Sequence, residues 1–370
     1  LIQTFTPRPG ATALVVLSLT LAGCAGFGSD APKDGTLTGV PVPASAETLA
    51  VGTRNSDAAD DPEIWADSRD PSRVVIFGTD KKAGLYVYGL DGQPRQFLAE
   101  GPLNNVDLRD GFALGGSRQV LIAASHRERG GALLFLMDPD TLEVSTWGLA
   151  PTPVSEPYGL CMGRRGDDVI VVVVGKDGDV RQIRLEVKDG APVAAEEQSF
   201  AVGSQSEGCV IDDATGALYV GEELKGVWRY SIDPQAMGRR TLLEAAPGPR
   251  LTPDVEGITL LRDGGRAFLI VSSQGDNAFA VWDVTGDGAV YKGRFSVDAS
   301  ETAGVDAVTG TDGVAALGGA VGPYTEGLIV VQDDADTDGA TRNVRRARQN
   351  FKLVDWRAVK TALEIEIPAP

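Results

Sequence analysis

The carboxylates of this chain fall in tight groups. Asp60-Asp61-Pro62-Glu63-Ile64-Trp65 sets two acids side by side before a proline, and Asp254-Val255-Glu256-Gly257 sets two acids two residues apart. Adjacent carboxylates repel and favour a cation or strong hydrogen bonds between them. In a strand, residues two apart share one face, so Asp254 and Glu256 can address one site. Glu207, Glu222 and Glu223 extend the set. Hard cations such as Ca²⁺ gather their ligands from such oxygens. Lys81, Arg127 and Lys176 stand at matching places in successive segments. Arginine grips oxyanions through parallel donors and lysine offers a point charge. Metal-held carboxylates beside fixed cations suit a phosphate ligand. Taken singly, each acid reads as a solvated turn residue and each cation as a surface ion-pair partner. The proposal of a site depends on their convergence.

Other hydrolytic chemistries lack their residues. The single histidine, His126 in Ser125-His126-Arg127-Glu128, does not fit a histidine phosphatase and has no nucleophile elbow to serve. A cysteine phosphatase needs arginine six positions after its cysteine. Cys161 is followed there by Asp167 and Cys209 by Thr215. Zinc sites rich in His and Cys are equally unavailable. Hydrolysis at an oxygen-ligated metal remains.

The elements that must position these groups are short strands. Val74-Val75-Ile76-Phe77, Leu85-Tyr86-Val87-Tyr88, Val120-Leu121-Ile122-Ala123 and the run from Val169 to Val174 are examples, punctuated by Asp91-Gly92, Asp177-Gly178 and Asp263-Gly264. Such pairs favour tight hairpins. No helical periodicity is visible before about Trp356, so the class is all-β. Polar clusters follow apolar strands at Asp80-Lys81-Lys82, Ser125-His126-Arg127, Lys176-Asp177, Glu222-Glu223, Ser273-Gln274 and Gln332-Asp333, with a spacing of roughly 46 to 59 residues. That period suits propeller blades. Six units make a six-bladed β-propeller, with the clusters at one end of its channel.

Charge and the N-terminus bound the partners. With 34 basic and 52 acidic residues the formal charge is -18, which argues against a nucleic-acid partner. Arg8, the apolar run from Ala11 to Ala22 and Leu21-Ala22-Gly23-Cys24 read as a bacterial export signal with a lipobox. The expected division is a signal peptide over 1–23, lipidation at Cys24, a tether over 24–45 and the propeller over 46–370. The expected product is an exported lipoprotein on a periplasm-facing membrane or the cell surface, reaching membranes only through its anchor. A monomer is expected. Cys161 and Cys209 are either a pair in an oxidising compartment or two buried thiols.

Over residues 57 to 357 the chain resembles the β-propeller phytase (3-phytase) family. The likeness lies in Asp60-Asp61-Pro62-Glu63-Ile64-Trp65, Gly78-Thr79-Asp80-Lys81-Lys82-Ala83-Gly84-Leu85, Leu103-Asn104-Asn105-Val106-Asp107-Leu108-Arg109, Tyr158-Gly159-Leu160, Ser204-Gln205-Ser206-Glu207-Gly208, Leu251-Thr252-Pro253-Asp254-Val255-Glu256-Gly257, Ser272-Ser273-Gln274-Gly275 and Gln349-Asn350-Phe351-Lys352. The resemblance implies hydrolysis of calcium-bound phytate, myo-inositol hexakisphosphate, with several Ca²⁺ ions. It implies that Asp60, Glu207, Glu223, Asp254 and Glu256 hold active-site calcium. Lys81, Arg127, Tyr158 and Lys176 would bind phosphate and, with Glu207, form the catalytic set. Asp61, Pro62 and Val106 match a structural calcium site, and Asp306 and Asp333 are further metal candidates. One departure stands out. The family's Thr-Asp-Gly-Ile-Asp stretch is matched to Thr302-Ala303-Gly304-Val305-Asp306, which places alanine where an acid is expected and leaves Asp306 to compensate. The loop Asp334-Ala335-Asp336 also differs. The competing expectations are a non-catalytic, calcium-dependent inositol-phosphate-binding propeller and a phosphoesterase for another organic phosphate.

Overall fold

A computed structural model describes residues 38–236, 238–337 and 346–367. The export signal and Cys24 lie outside the described residues. Six antiparallel sheets follow one another along the chain. Blade 1 comprises Ala59–Asp67, Asp70–Asp80, Gly84–Gly89 and Pro94–Leu98. Blade 2 comprises Leu103–Leu114, Ser117–His126, Gly131–Met137 and Val144–Pro151. Blade 3 comprises Pro157–Arg165, Asp168–Gly175, Asp179–Lys188 and Ala191–Ala201. Blade 4 comprises Ser206–Asp212, Ala217–Glu222, Gly226–Ser231 and Thr241–Ala245. Blade 5 comprises Val255–Asp263, Arg266–Ser273, Ala278–Asp283 and Val290–Asp298. Blade 6 comprises Val314–Gly318, Gly327–Asp333 and Asn350–Asp355. The fold is the expected six-bladed all-β propeller.

The ring closes by mixing the two ends of the chain. Ala46–Glu47 supplies the outermost strand of blade 6, pairing with Leu353 and Lys352. The expected tether ends earlier than residue 45. Val40–Pro43 runs parallel to the outer strand of blade 5, with Val40 opposite Phe295 and Val42 opposite Val297. Val42 is buried there, so this stretch gains both backbone pairing and an apolar contact. Among the described residues one α-helix, α1 (Trp356–Ala362), follows blade 6, capped by Asp355 accepting from the Arg357 N–H at 2.9 Å.

The second strand of each blade is buried on both faces, which explains unbroken apolar runs such as Val169 to Val174. Blades pack through the side chains between them. Trp65, Phe77 and Leu85 of blade 1 meet Ile122, Leu133 and Phe135 of blade 2, and Phe268 and Phe279 of blade 5 meet Ile329 of blade 6 and Trp356 of α1.

At the centre, the first strands of all six blades approach closely. A Cβ on Gly159 would sit 1.9 Å from the Glu207 carbonyl oxygen, and one on Gly208 would sit 2.0 Å from that of Glu256. The pattern continues as Gly257 N–H donates to Asp312 O at 2.9 Å and Gly313 N–H donates to Asp60 O at 3.0 Å. Each glycine follows a site residue of its own blade and lies against the site acid of the next. Cys161 of blade 3 and Cys209 of blade 4, both buried, are joined by a disulfide with Cα atoms 5.6 Å apart.

Two measurements test this arrangement. Gly208→Ala is expected to destabilise the protein by about 1–3 kcal/mol, because backbone must move to admit the methyl group. Equal urea midpoints for variant and parent would refute the close approach. The disulfide spans a sequence separation of 48. Closing a loop of that size is worth up to about 4 kcal/mol through the unfolded chain. Cys161→Ser/Cys209→Ser is therefore expected to lower the melting temperature measurably, and an unchanged transition would show that the cross-link contributes nothing.

Candidate active site

Five blades carry an irregularity where the first strand meets one rim of the channel. The register shifts between Ala59 and Pro62, Leu103 and Val106, Pro157 and Gly159, Ser206 and Cys209, and Val255 and Ile258. The residues inside these bulges are Asp60-Asp61, Asn104-Asn105, Tyr158, Glu207-Gly208 and Glu256-Gly257. A bulge adds a residue and re-aims side chains out of the pleat. Second strands end at the same rim, which places Lys81, Arg127, Lys176, Glu223 and Gln274 just beyond them.

Carboxylate oxygens of Glu207, Glu223 and Glu256 lie within 4.8 Å of one another, all three residues buried. Burial, followed by the charges of Asp60 and Glu256, raises the Glu207 carboxyl well above its usual range. Burial, opposed by a hydrogen bond from Gln205 and reinforced by Asp254, pushes Glu223 up to about 7. Asp60 is raised by burial despite Lys81 beside it. The Lys81 Nζ lies 2.7 Å from Asp60, 3.0 Å from Asp57 and 3.1 Å from Asp312. Burial alone would discharge that ammonium, yet Asp312, Asp60 and Asp57 together raise its pKa well above the ordinary value.

Two of the cations flank Tyr158. Arg127 Cζ lies 5.6 Å and Lys176 Nζ 5.0 Å from the centre of the Tyr158 ring. Asn104 Nδ2 donates to Glu207 Oε1 at 2.7 Å, and Arg127 Nη1 donates to Asn104 Oδ1 at 3.4 Å. The Tyr158 hydroxyl is held neutral, chiefly by the charge of Glu207 and then by burial.

The site fits an oxygen-ligated cation. Asp60 Oδ2 and Glu223 Oε1 are buried without a hydrogen-bond partner, and three buried carboxylates share one space. Such groups are costly unless a charge or donors compensate them. Glu207, Glu223, Glu256, Asp60 and Asp254 are the residues available to hold it.

Asp306 and Asp333 do not join this cluster, so Asp306 cannot compensate there. Asp306 groups with Glu47 and Asp336, their oxygens within 4.8 Å of one another. The fully buried Lys352 pairs with Asp306 and Glu47 and lies 3.4 Å from Asp333. Burial pushes Asp333 up to about 7, with Lys352 opposing. This second acidic group ties the N-terminal strand to blade 6. Asp61, Pro62 and Val106 do lie together on the channel wall, where Asp61 Oδ2 accepts the Val106 N–H at 3.0 Å. Asp61 is raised well above its usual value, first by burial.

The expectation at Ala303 needs correction. Ala303 lies in an exposed turn bridged by Ser300 and Val305. The acid at the rim is Asp312, in Thr311-Asp312-Gly313-Val314, whose N–H donates to Gln332 Oε1 at 2.8 Å and whose carboxylate accepts from Gln274. Sequence reasoning also passed over Asp57, Asn104 and Glu47. Asp312 had a legible signal: Glu207-Gly208, Glu256-Gly257 and Asp312-Gly313 repeat one acid–glycine step across three blades.

The profile of the family described as Phytase matches residues 10–368. A 3-phytase of Bacillus subtilis (strain 168) is 34% identical over 331 residues, covering 86% of this chain and 84% of the relative. Among solved structures, a nidogen/laminin complex shows a loose likeness, with a TM-score of 0.44 and 12% identity over 78% of this chain and 96% of that one. The chain belongs to the phytase family of phosphoric monoester hydrolases.

Proposed function

We propose that the protein hydrolyses phosphate monoesters of phytate in a calcium-dependent reaction. The observation that carries this reading is one rim where Glu207, Glu223 and Glu256 converge beside Arg127, Lys176 and Tyr158, with Lys81 between acids of blades 1 and 6. Calcium, when bound among the carboxylates, would supply charge neutralisation for phosphate oxygens and acidity for water. The chain's own groups do the rest. Lys81, Arg127 and Lys176 donate to the oxygens of the phosphoryl group as charge builds on them. Tyr158, kept protonated, offers a hydroxyl donor beside them. Asn104 occupies Glu207 Oε1, leaving Oε2 for the cation or for a proton from the attacking water. No covalent intermediate is required. An acidic protein and a polyanionic substrate need a cation between them, so the substrate is taken as its calcium complex.

The reading as a binding-only propeller loses its support, since Asp312 supplies the acid that seemed missing at residue 303. A different organic phosphate is distinguished by assaying glycerophosphate and nucleotides beside phytate. We also propose that the protein acts as an exported, lipid-anchored monomer that binds no nucleic acid. Labelling of Cys24 with radioactive palmitate in a bacterial host tests the anchor.

Phosphate release from calcium phytate is expected to stop in excess EGTA and return with Ca²⁺; turnover that survives chelation would exclude calcium dependence. Glu207→Ala and Lys81→Ala are each expected to slow release at least about tenfold. Parental kinetics in either variant would remove that residue from the machinery. Stability carries a further signature. Glu223 and Asp333 titrate near 7 in the folded protein, against ordinary values of 4.5 and 3.8. Between those values the unfolded chain has already lost protons that the fold retains, so metal-free stability falls as pH rises toward 7. The melting temperature in chelator is expected to be lower at pH 7.5 than at pH 5.5, and added Ca²⁺ to narrow the gap. A metal-free transition that rises with pH over this range would contradict these assignments.

A further inference from the structure

Glu156 stands one residue before the Pro157–Arg165 strand, at the edge of the cation cluster. Its Oε1 accepts from Arg127 Nε at 2.8 Å and also from Arg127 Nη2. Its backbone carbonyl accepts the Lys176 N–H at 3.0 Å. One residue thus fixes the side chain of one cation and the backbone of the other. The bonds to Arg127 are charge-assisted, the stronger kind. They occupy one edge of the guanidinium and leave Nη1 toward Asn104, whose amide holds Glu207. The result is a continuous line, Glu156–Arg127–Asn104–Glu207, running from the outer rim into the carboxylate cluster.

We propose that Glu156 is a positioning residue: it locks the Nε edge of Arg127 so that the other end of the guanidinium is presented to a substrate phosphate. The inference rests on the function proposed above. Arginine has five donors in a rigid fork, so holding one edge determines where the remaining donors point. Glu156 is partly exposed and contributes to no apolar cluster, which separates an aiming role from a packing role. The flanking strand does not require a carboxylate at this position, since the Lys176 N–H bonds to the backbone carbonyl and not to the side chain.

The test is a double-mutant cycle of Glu156→Gln and Arg127→Ala. The glutamine keeps the shape and loses the charge. Glu156→Gln alone is expected to lower kcat/KM for calcium phytate about fivefold to tenfold, with the melting temperature unchanged. On the Arg127→Ala background it is expected to change nothing beyond about twofold, because no guanidinium is left to aim. Binding of myo-inositol hexakissulfate in Ca²⁺, followed by calorimetry, reads the same cycle without turnover and serves where Arg127→Ala is too slow to assay. An unchanged Glu156→Gln enzyme, or an equal loss on both backgrounds, overturns the proposal. Wild-type protein that releases no phosphate from phytate would overturn the proposed function instead, and the calorimetric cycle would then judge Glu156 separately.

Discussion

Everything at the rim depends on how closely six strands can approach one axis. Acids from four blades share one rim because the backbone beside them carries no side chain. Gly159, Gly208, Gly257 and Gly313 each lie against the chain of the next blade where a methyl group would collide. The glycine that follows each site residue is what allows the next blade's acid to come inward. The bulges do complementary work: without the extra residue, alternate side chains would point into the spaces between blades.

Gathering acids in this way raises an electrostatic difficulty that the fold meets with buried lysines. Lys81 sits among Asp57, Asp60 and Asp312, and Lys352 among Glu47, Asp306 and Asp333. Each is a fixed cation within a group of carboxylates, and each links parts of the chain far apart in sequence. Lys81 connects the first blade to the last. Lys352 connects the N-terminal strand to blade 6. The two acidic groups therefore serve ring closure. Burial first, with neighbouring carboxylates adding to it, pushes Glu223 and Asp333 up to about 7. At the same rim, Arg127 and Lys176 flank Tyr158, so cations and acids alternate within one opening.

Much of the fold was legible from local pattern. The strand–cluster–strand period reflects the repeat itself, since every blade must turn from its second to its third strand at the same rim. The apolar run from Val169 to Val174 announced a strand covered on both faces. Lys81, Arg127 and Lys176 could be aligned because they follow equivalent strands. Asp312 was missed because the matching stretch was sought a few residues too early, where Thr302-Ala303-Gly304-Val305-Asp306 offered a partial likeness. The acid–glycine step of Asp312-Gly313 separates the two stretches locally, and Gly313 packs against Asp60.

The amino-acid sequence by itself determined the class, the number of blades, and the residue types that meet at the rim, because hydrophobic period and turn chemistry act over a few residues at a time. Tertiary structure alone decided which acids share a site. Asp306 and Asp312 lie six positions apart yet serve different groups, and Glu47 reaches Lys352 across the whole chain. It also decided that Cys161 and Cys209 pair, because adjacent blades bring their Cα atoms to 5.6 Å. Such partnerships arise from the closure of the ring, and closure is a relation between distant segments that no local spacing records.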